Sequence, residues 1–338
     1  MTQNKILTGI KPTGTPHLGN YIGAIRPAIC TSVQAHQQSF FFLADYHALI
    51  GCREPELLHA STRSIAACWL ALGLDTNQAL FYRQSDIPEI PQLCWILSCL
   101  AAKGLMNRAH AYKAQVHNNL EREEGDPDKG VTMGLYSYPV LMAADILLFQ
   151  ANRVPVGQDQ VQHIEMARDI AGRFNHHYGH CFVLPEAVVA DKGAVLNGLD
   201  GRKMSKSYNN VIPLFCSASQ LRKLIMKIKT NSLAPGEPKD PDSCTLFQIF
   251  SAFNRDADAL AHRRQQYADG AAWGTLKQEL FEFLDDELKA PRAEYERLVA
   301  DPAFMEEQLL RGAEKAREHT VPFMETVRRA VGIRALHP

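Results

Sequence analysis

The chain has 338 residues, 46% of them hydrophobic, which suffices for a sizeable core shared over two domains. Its 36 basic and 37 acidic side chains leave a formal net charge of −1, so any nucleic-acid contact must come from a local basic patch, not from the overall field. No run approaches the roughly 18–20 unbroken apolar residues of a membrane span, and the start from Met1 to Ile6 lacks the basic-then-apolar layout of a signal peptide, so the chain reads as cytosolic.

In chain order, Ile6–Ile10 reads as a strand followed by a Gly- and Pro-rich loop, then a helix from about Gly19 with Ile22, Ile25 and Ile29 on one face. Phe40–Ala44 is a second buried strand, Pro55–Leu72 a helix, and Leu80–Tyr82 a third strand. A helical stretch runs to about 119, and the charge run Glu121–Lys129 is a solvated loop. An apolar helix over Gly134–Phe149 follows, then a turn at Pro155-Val156-Gly157, a helix over Gln160–Phe174 and a last strand at Phe182–Leu184. This alternation is the pattern of βαβ units on a parallel sheet. Beyond about 212 only helical patterns remain. The reading is therefore an α/β chain: a Rossmann-like doubly wound parallel sheet over 1–211, and an all-helical domain over 212–338.

The eight cysteines include no C-x-x-C pair and no neighbouring His pair at zinc spacing, so they read as structural thiols, with no zinc or iron–sulfur site. Two loops carry chemistry instead. The first, Gly9 to Asn20, lies between a strand and a helix, where free N–H groups and the helix dipole favour phosphate. His17 there can donate an imidazole N–H to a phosphate oxygen whose charge rises in the transition state; an ordinary turn capped by Asn20 would explain the same residues. The second is Asn197-Gly198-Leu199-Asp200-Gly201-Arg202-Lys203-Met204-Ser205-Lys206-Ser207, two turn dipeptides before a basic cluster. Lys203 and Lys206 suit a polyphosphate that must later leave; a solvated basic loop is the plainer alternative.

Together, His17-Leu18-Gly19-Asn20 and Lys203-Met204-Ser205-Lys206-Ser207 resemble the paired signatures of class I aminoacyl-tRNA synthetases. Between them, the helix Tyr138–Leu148 is apolar almost all round except for Asp145, whose burial demands a donor. Tyr138, Met142 and Asp145 fall at i, i+4 and i+7 on one face. An aromatic, a thioether and an acceptor form a wall for a flat apolar ring with one N–H, such as indole; an Asp paired to a neighbouring Arg or backbone group would look the same. Leu141–Leu147, followed by Val154–Glu165 and Ala167–Asn175, resembles the tryptophanyl-tRNA synthetase family over nearly the whole chain.

That resemblance implies ATP, carried as its Mg2+ complex, L-tryptophan and tRNA(Trp) as substrates, and a homodimer with the 100–135 insertion near its interface. It implies that Asp145 accepts the indole N–H, that Tyr138 and Gln160 hold the α-amino group, and that Met142, Val154 and Val156 line the ring pocket with His47 at its border. On the ATP side it implies Lys11, Pro12, Thr13, Gly19 and Asn20 around adenine and phosphates and Gly157, Gln158 and Asp159 toward the ribose. Leu196 would lie against adenine, and Lys203, Met204, Ser205, Lys206 and Ser207 along the polyphosphate. His17, Lys203 and Lys206 would be the catalytic groups. Lys11 stands where many members have Gln, and Asn107–Lys113 follows a second subgroup, with Lys113 within reach of the phosphates. For RNA, Arg222, Lys223, Lys227 and Lys229 form an acid-free basic run, with 223 and 227 on one helical face; a solvated helix face is the alternative. A tyrosyl-tRNA synthetase, a free-standing nucleotidyltransferase and a non-enzymatic RNA-binding paralogue are the rival readings.

Overall fold

The computed structural model describes residues 4–34, 37–189 and 195–336, so the outermost ends of the two expected domains, 1–3 and 337–338, lie outside it. Strand β1 (Asn4–Ile10) leads through the Gly9–His17 loop into helix α1 (Leu18–Asn20), a π-helical turn over Tyr21–Ile25, and α2 (Arg26–Ser32). Ile22 and Ile25 are buried, the face expected from their spacing. β2 (Gln37–Leu43) follows, buried from Ser39 to Leu43, then α3 (Asp45–Ala48), α4 (Pro55–Ala71) and β3 (Ala79–Arg83). The expected helical stretch to 119 is three helices, α5 (Glu89–Ser98), α6 (Lys103–Met106) and α7 (His110–Glu121). α8 (Met133–Leu148), β4 (Arg153–Val156), α9 (Val161–Tyr178) and β5 (Glu186–Val189) complete the α/β region.

The five strands are parallel in the order β3-β2-β1-β4-β5. Winding therefore reverses between β1 and β4, and the crevice outside their carboxyl ends is where such sheets bind ligands. β1 and β4 share one ladder pair, Ile6↔Arg153, before they part.

Two expectations are corrected here. Pro155 and Val156 are not a turn but the end of β4, paired with Val188 and Val189; Pro is tolerated because the ladder to β1 has already opened, so its missing N–H costs no bond on that side. Phe182–Leu184 is not a strand; Glu186–Val189 is. The backbone of Phe182 is satisfied by a side chain instead of a ladder: its N–H donates to Asn175 Oδ1 (2.9 Å) and its carbonyl accepts from Asn175 Nδ2 (2.8 Å). The Phe182 ring still fills the core, edge-on to Phe174.

From 212 onward the described elements are helical: α10 (Ala218–Met226), α11 (Thr245–Phe253), α12 (Ala257–Ala268), α13 (Trp273–Ala300) and α14 (Pro302–Ala330). They do not form a core of their own. Leu276, Leu280, Leu284 and Leu309 share one buried cluster with Leu18, Ile22, Phe41 and Phe81. α14 runs so close along β3 that a Cβ on Gly312 would sit 1.9 Å from the Phe81 carbonyl oxygen, so this position needs glycine. Five residues further along it, Arg317 Nη2 donates to the buried Glu89 carboxylate at 3.0 Å.

All eight cysteines are free thiols. Cys68 lies in the core, where burial pushes its thiol far above the usual value, while Cys30 and Cys99 are exposed.

Candidate active site

The first phosphate loop is held open by specific contacts. A Cβ on Gly9 would meet the Phe42 ring at 2.6 Å, and Gly14 has φ +78° with its N–H on Ser61 Oγ at 3.0 Å. His17, not Asn20, is the N-cap of the helix. Its Nδ1 accepts from the Asn20 N–H (3.3 Å), while Asn20 Oδ1 accepts from the His17 N–H (3.1 Å), a reciprocal capping box. Burial, and secondarily the Lys206 charge, lower the His17 pKa to about 4, so the ring is neutral at pH 7. With Nδ1 accepting, the proton sits on Nε2. The loop therefore carries a neutral imidazole whose Nε2–H is a donor.

The second loop lies against the first. Lys206 Nζ donates to the Thr13 carbonyl, and desolvation there lowers its pKa. Lys203 is exposed, while Met204 and Leu196 are buried and joined by the Met204 N–H to Leu196 carbonyl bond at 2.8 Å. Asn210, also buried, ties the loop together. Its amide donates to Asp200 Oδ1 (2.7 Å) and the Lys203 carbonyl (3.1 Å), and its Oδ1 accepts from the Ser205 N–H (2.8 Å). Lys11, Thr13, Asn20 and Ser207 are exposed around this junction, with Pro12 buried beneath it.

Across the crevice, β4 delivers Gly157, Gln158 and Asp159, all exposed. A Cβ on Gly157 would lie 2.7 Å from Asp159 Oδ1, so a side chain there would displace that exposed carboxylate. Asp159 Oδ2 in turn accepts from Gln160 Nε2 at 2.8 Å. Asp145 is 1% exposed, and its partners are His47 Nε2 (2.8 Å to Oδ2) and Gln84 Nε2 (2.7 Å to Oδ1, 3.0 Å to Oδ2). Burial raises its pKa, opposed by the His47 and Gln84 bonds. Tyr138 has its hydroxyl 2.6 Å from His163 Nε2 and its ring 6.4 Å from that of His47. Met142 and Val156 pack beside Val154 against the same core. Asp145, His47 and Gln84 thus meet just beyond the carboxyl ends of β2 and β3, and Met142, Val154 and Val156 belong to one apolar cluster.

The model for class I tRNA synthetases of the W and Y type matches residues 1–289. Over 335 residues the chain is 61% identical to a tryptophan–tRNA ligase of Pseudomonas aeruginosa, covering 98% of this chain and 74% of that one. A tryptophan–tRNA ligase of Neisseria meningitidis is 54% identical over 99% of this chain and 100% of its own length. The chain belongs to the tryptophanyl-tRNA synthetase family. A solved family member from Campylobacter jejuni, complexed with ADP and tryptophan, superposes with a TM-score of 0.89 at 40% identity, over 97% of this chain and 99% of that one.

Against this family background, two residues near the ring pocket escaped the sequence reading. Gln84 follows β3 directly and is 0% exposed; a polar residue ending an apolar strand was its only local signal. His163 is 2% exposed, its pKa is lowered by burial, and its Nδ1 has no partner among the described residues. The basic run is looser than a single helix face implies. α10 ends at Met226, Lys227 is its C-cap, and Lys229 lies beyond it with its N–H on the Leu199 carbonyl (2.8 Å). Arg222, Lys223, Lys227 and Lys229 are all exposed, and Arg222 Nε donates to Gln278 Oε1 at 3.0 Å. Lys113 is exposed on α7. Among the described residues no helix is long and apolar enough to cross a membrane, and no three His, Cys, Asp or Glu side chains converge to hold a metal ion.

Proposed function

We propose that this synthetase forms tryptophanyl-adenylate in the β1/β4 crevice and passes tryptophan to tRNA(Trp). The observation that carries the residue assignment is Asp145: a carboxylate at 1% exposure that accepts from His47 and Gln84, which follow the carboxyl ends of β2 and β3. Such a group is suited to accept one N–H from a flat apolar ring. Tyr138 and Gln160 hold the α-amino group, and Met142, Val154 and Val156 flank the indole.

The tryptophan carboxylate, already ionised, attacks the α-phosphorus of Mg-ATP. The new O–P bond forms as the bond to the bridging oxygen breaks, and diphosphate leaves with its electrons. No base is needed in this step. Catalysis is positioning and charge stabilisation, for which His17 supplies a neutral N–H and Lys203 and Lys206 supply positive charge. Lys11, Pro12, Thr13, Gly19, Asn20, Leu196, Met204, Ser205 and Ser207 line the nucleotide, with Gly157, Gln158 and Asp159 at its ribose. In the second step a ribose hydroxyl at the tRNA terminus, the 2′-hydroxyl by class analogy, attacks the carboxyl carbon and AMP departs. The tRNA is held by Arg222, Lys223, Lys227 and Lys229 on the helical part from 212.

We also propose a homodimer acting in the cytoplasm. What supports the dimer is an open apolar groove of about 620 Å3 beside the 100–135 insertion, with Trp95 in its wall at 71% exposure and Met133 close by at 74%. Pyrophosphate exchange run with tryptophan, with tyrosine and without amino acid tests the activity. Exchange dependent on tryptophan alone is expected, and exchange with tyrosine or without amino acid would overturn it.

A further inference from the structure

We infer that Gln84 is a specificity-determining positioning residue, which holds Asp145 as a pure acceptor and so sets the preference for a ring bearing an N–H. The inference rests on the reading that Asp145 takes the indole N–H. Gln84 is fully buried at the start of the short helical turn after β3. Its Oε1 accepts from the Tyr46 N–H at 3.1 Å, which fixes the amide: turned over, it would set NH2 against that N–H and oxygen against Asp145. The nitrogen therefore always faces Asp145, bonding Oδ1 at 2.7 Å and Oδ2 at 3.0 Å.

Oδ2 also receives His47 Nε2, so Oδ1, with a single donor, keeps the spare accepting capacity that an indole N–H can use. The charged and titratable neighbours of Asp145 are His47 and Asp45 from α3, Tyr82 from β3 and Cys94 from α5. None of these is a permanent cation, so burial favours a proton on Asp145, and only the donors of His47 and Gln84 oppose it. A protonated Asp145 would present an O–H where the indole also presents a donor. The two supporting segments are joined independently: Asp45 accepts from the Ser85 N–H (3.1 Å) and the Ser85 hydroxyl, so His47 and Gln84 keep their spacing.

Gln84→Met keeps the bulk and removes the donor. The full chain, wild type and variant, is titrated by calorimetry with tryptophan and with 3-benzothienylalanine, in which sulfur replaces the N–H. Tryptophan affinity is expected to fall about tenfold or more, and the sulfur analogue to change less than about twofold. In pyrophosphate exchange the KM for tryptophan rises while the KM for ATP and kcat hold. Equal losses for both ligands, or no loss, overturn the inference. Should Gln84→Met fail to fold, the same affinity ratio is read on Gln84→Asn, whose amide is one methylene short; a wild-type ratio there overturns it equally. Wild type and Asp145→Asn that both fail to separate the two ligands would instead sink the Asp145 reading itself.

Discussion

Replacing Asp145 with Ala removes one carboxylate with two consequences that the structure separates. The first is loss of the charged acceptor for the ring N–H, worth about 1.5–3 kcal/mol, or roughly 10- to 150-fold in tryptophan affinity. The second falls on the protein. Gln84 is fully buried and, among the described residues, its NH2 group bonds only to Asp145, so the variant strands that donor. An unsatisfied buried donor costs about 1–3 kcal/mol. Relief from burying a charge offsets part of this, since burial already disfavours the ionised form. The variant should therefore fold, melt several degrees lower, bind ATP normally and bind tryptophan at least tenfold more weakly. Separate calorimetric titrations with ATP and tryptophan, beside a thermal melt, measure all three. A folded variant with wild-type tryptophan affinity would refute the assignment.

Lys203→Ala and Lys206→Ala should slow adenylate formation in single-turnover kinetics by about tenfold or more while tryptophan affinity holds, because their charge matters most in the transition state; loss of tryptophan binding with normal chemistry would contradict this. Removing the Lys206 charge should also raise the His17 pKa from about 4, only part of the way because burial is the larger cause, a change that NMR titration of the ring can follow. Gly312→Ala should destabilise by about 1–3 kcal/mol or more, since the added methyl meets the Phe81 carbonyl, and a chemical melt reads it directly. Gln at 222, 223, 227 and 229 together should weaken tRNA charging and flatten its salt dependence while sparing tRNA-independent exchange; equal damage to both activities would make α10 purely structural. Lys11→Gln should raise the KM for ATP or tryptophan a few-fold at low salt and less at high salt, because Lys11 is exposed and its charge is screened.

The two candidate phosphate loops were legible in the sequence because each is a contiguous stretch whose residue types act locally: glycines that let backbone approach phosphate, and two lysines three positions apart. Asp145 was legible too, since a carboxylate inside an apolar helix demands a donor wherever the helix lies. Strands β1 to β3 carried enough apolar residues to declare themselves. β4 did not, because Pro155 in four residues argues for a turn until the parting of β1 and β4 is known. Phe182–Leu184 misled for the opposite reason: it is apolar, yet only Phe182 is buried, and Asn175 supplies the Phe182 hydrogen bonds that a ladder would have given. Only the tertiary structure chose Asp145's donors, His47 and Gln84, which lie 98 and 61 residues away in sequence. It alone set α14 against β3, so that residues on both sides of 211 share one core. Periodicity reports which face of an element is buried; what that face meets depends on the order in which strands and helices assemble, and no local pattern encodes that.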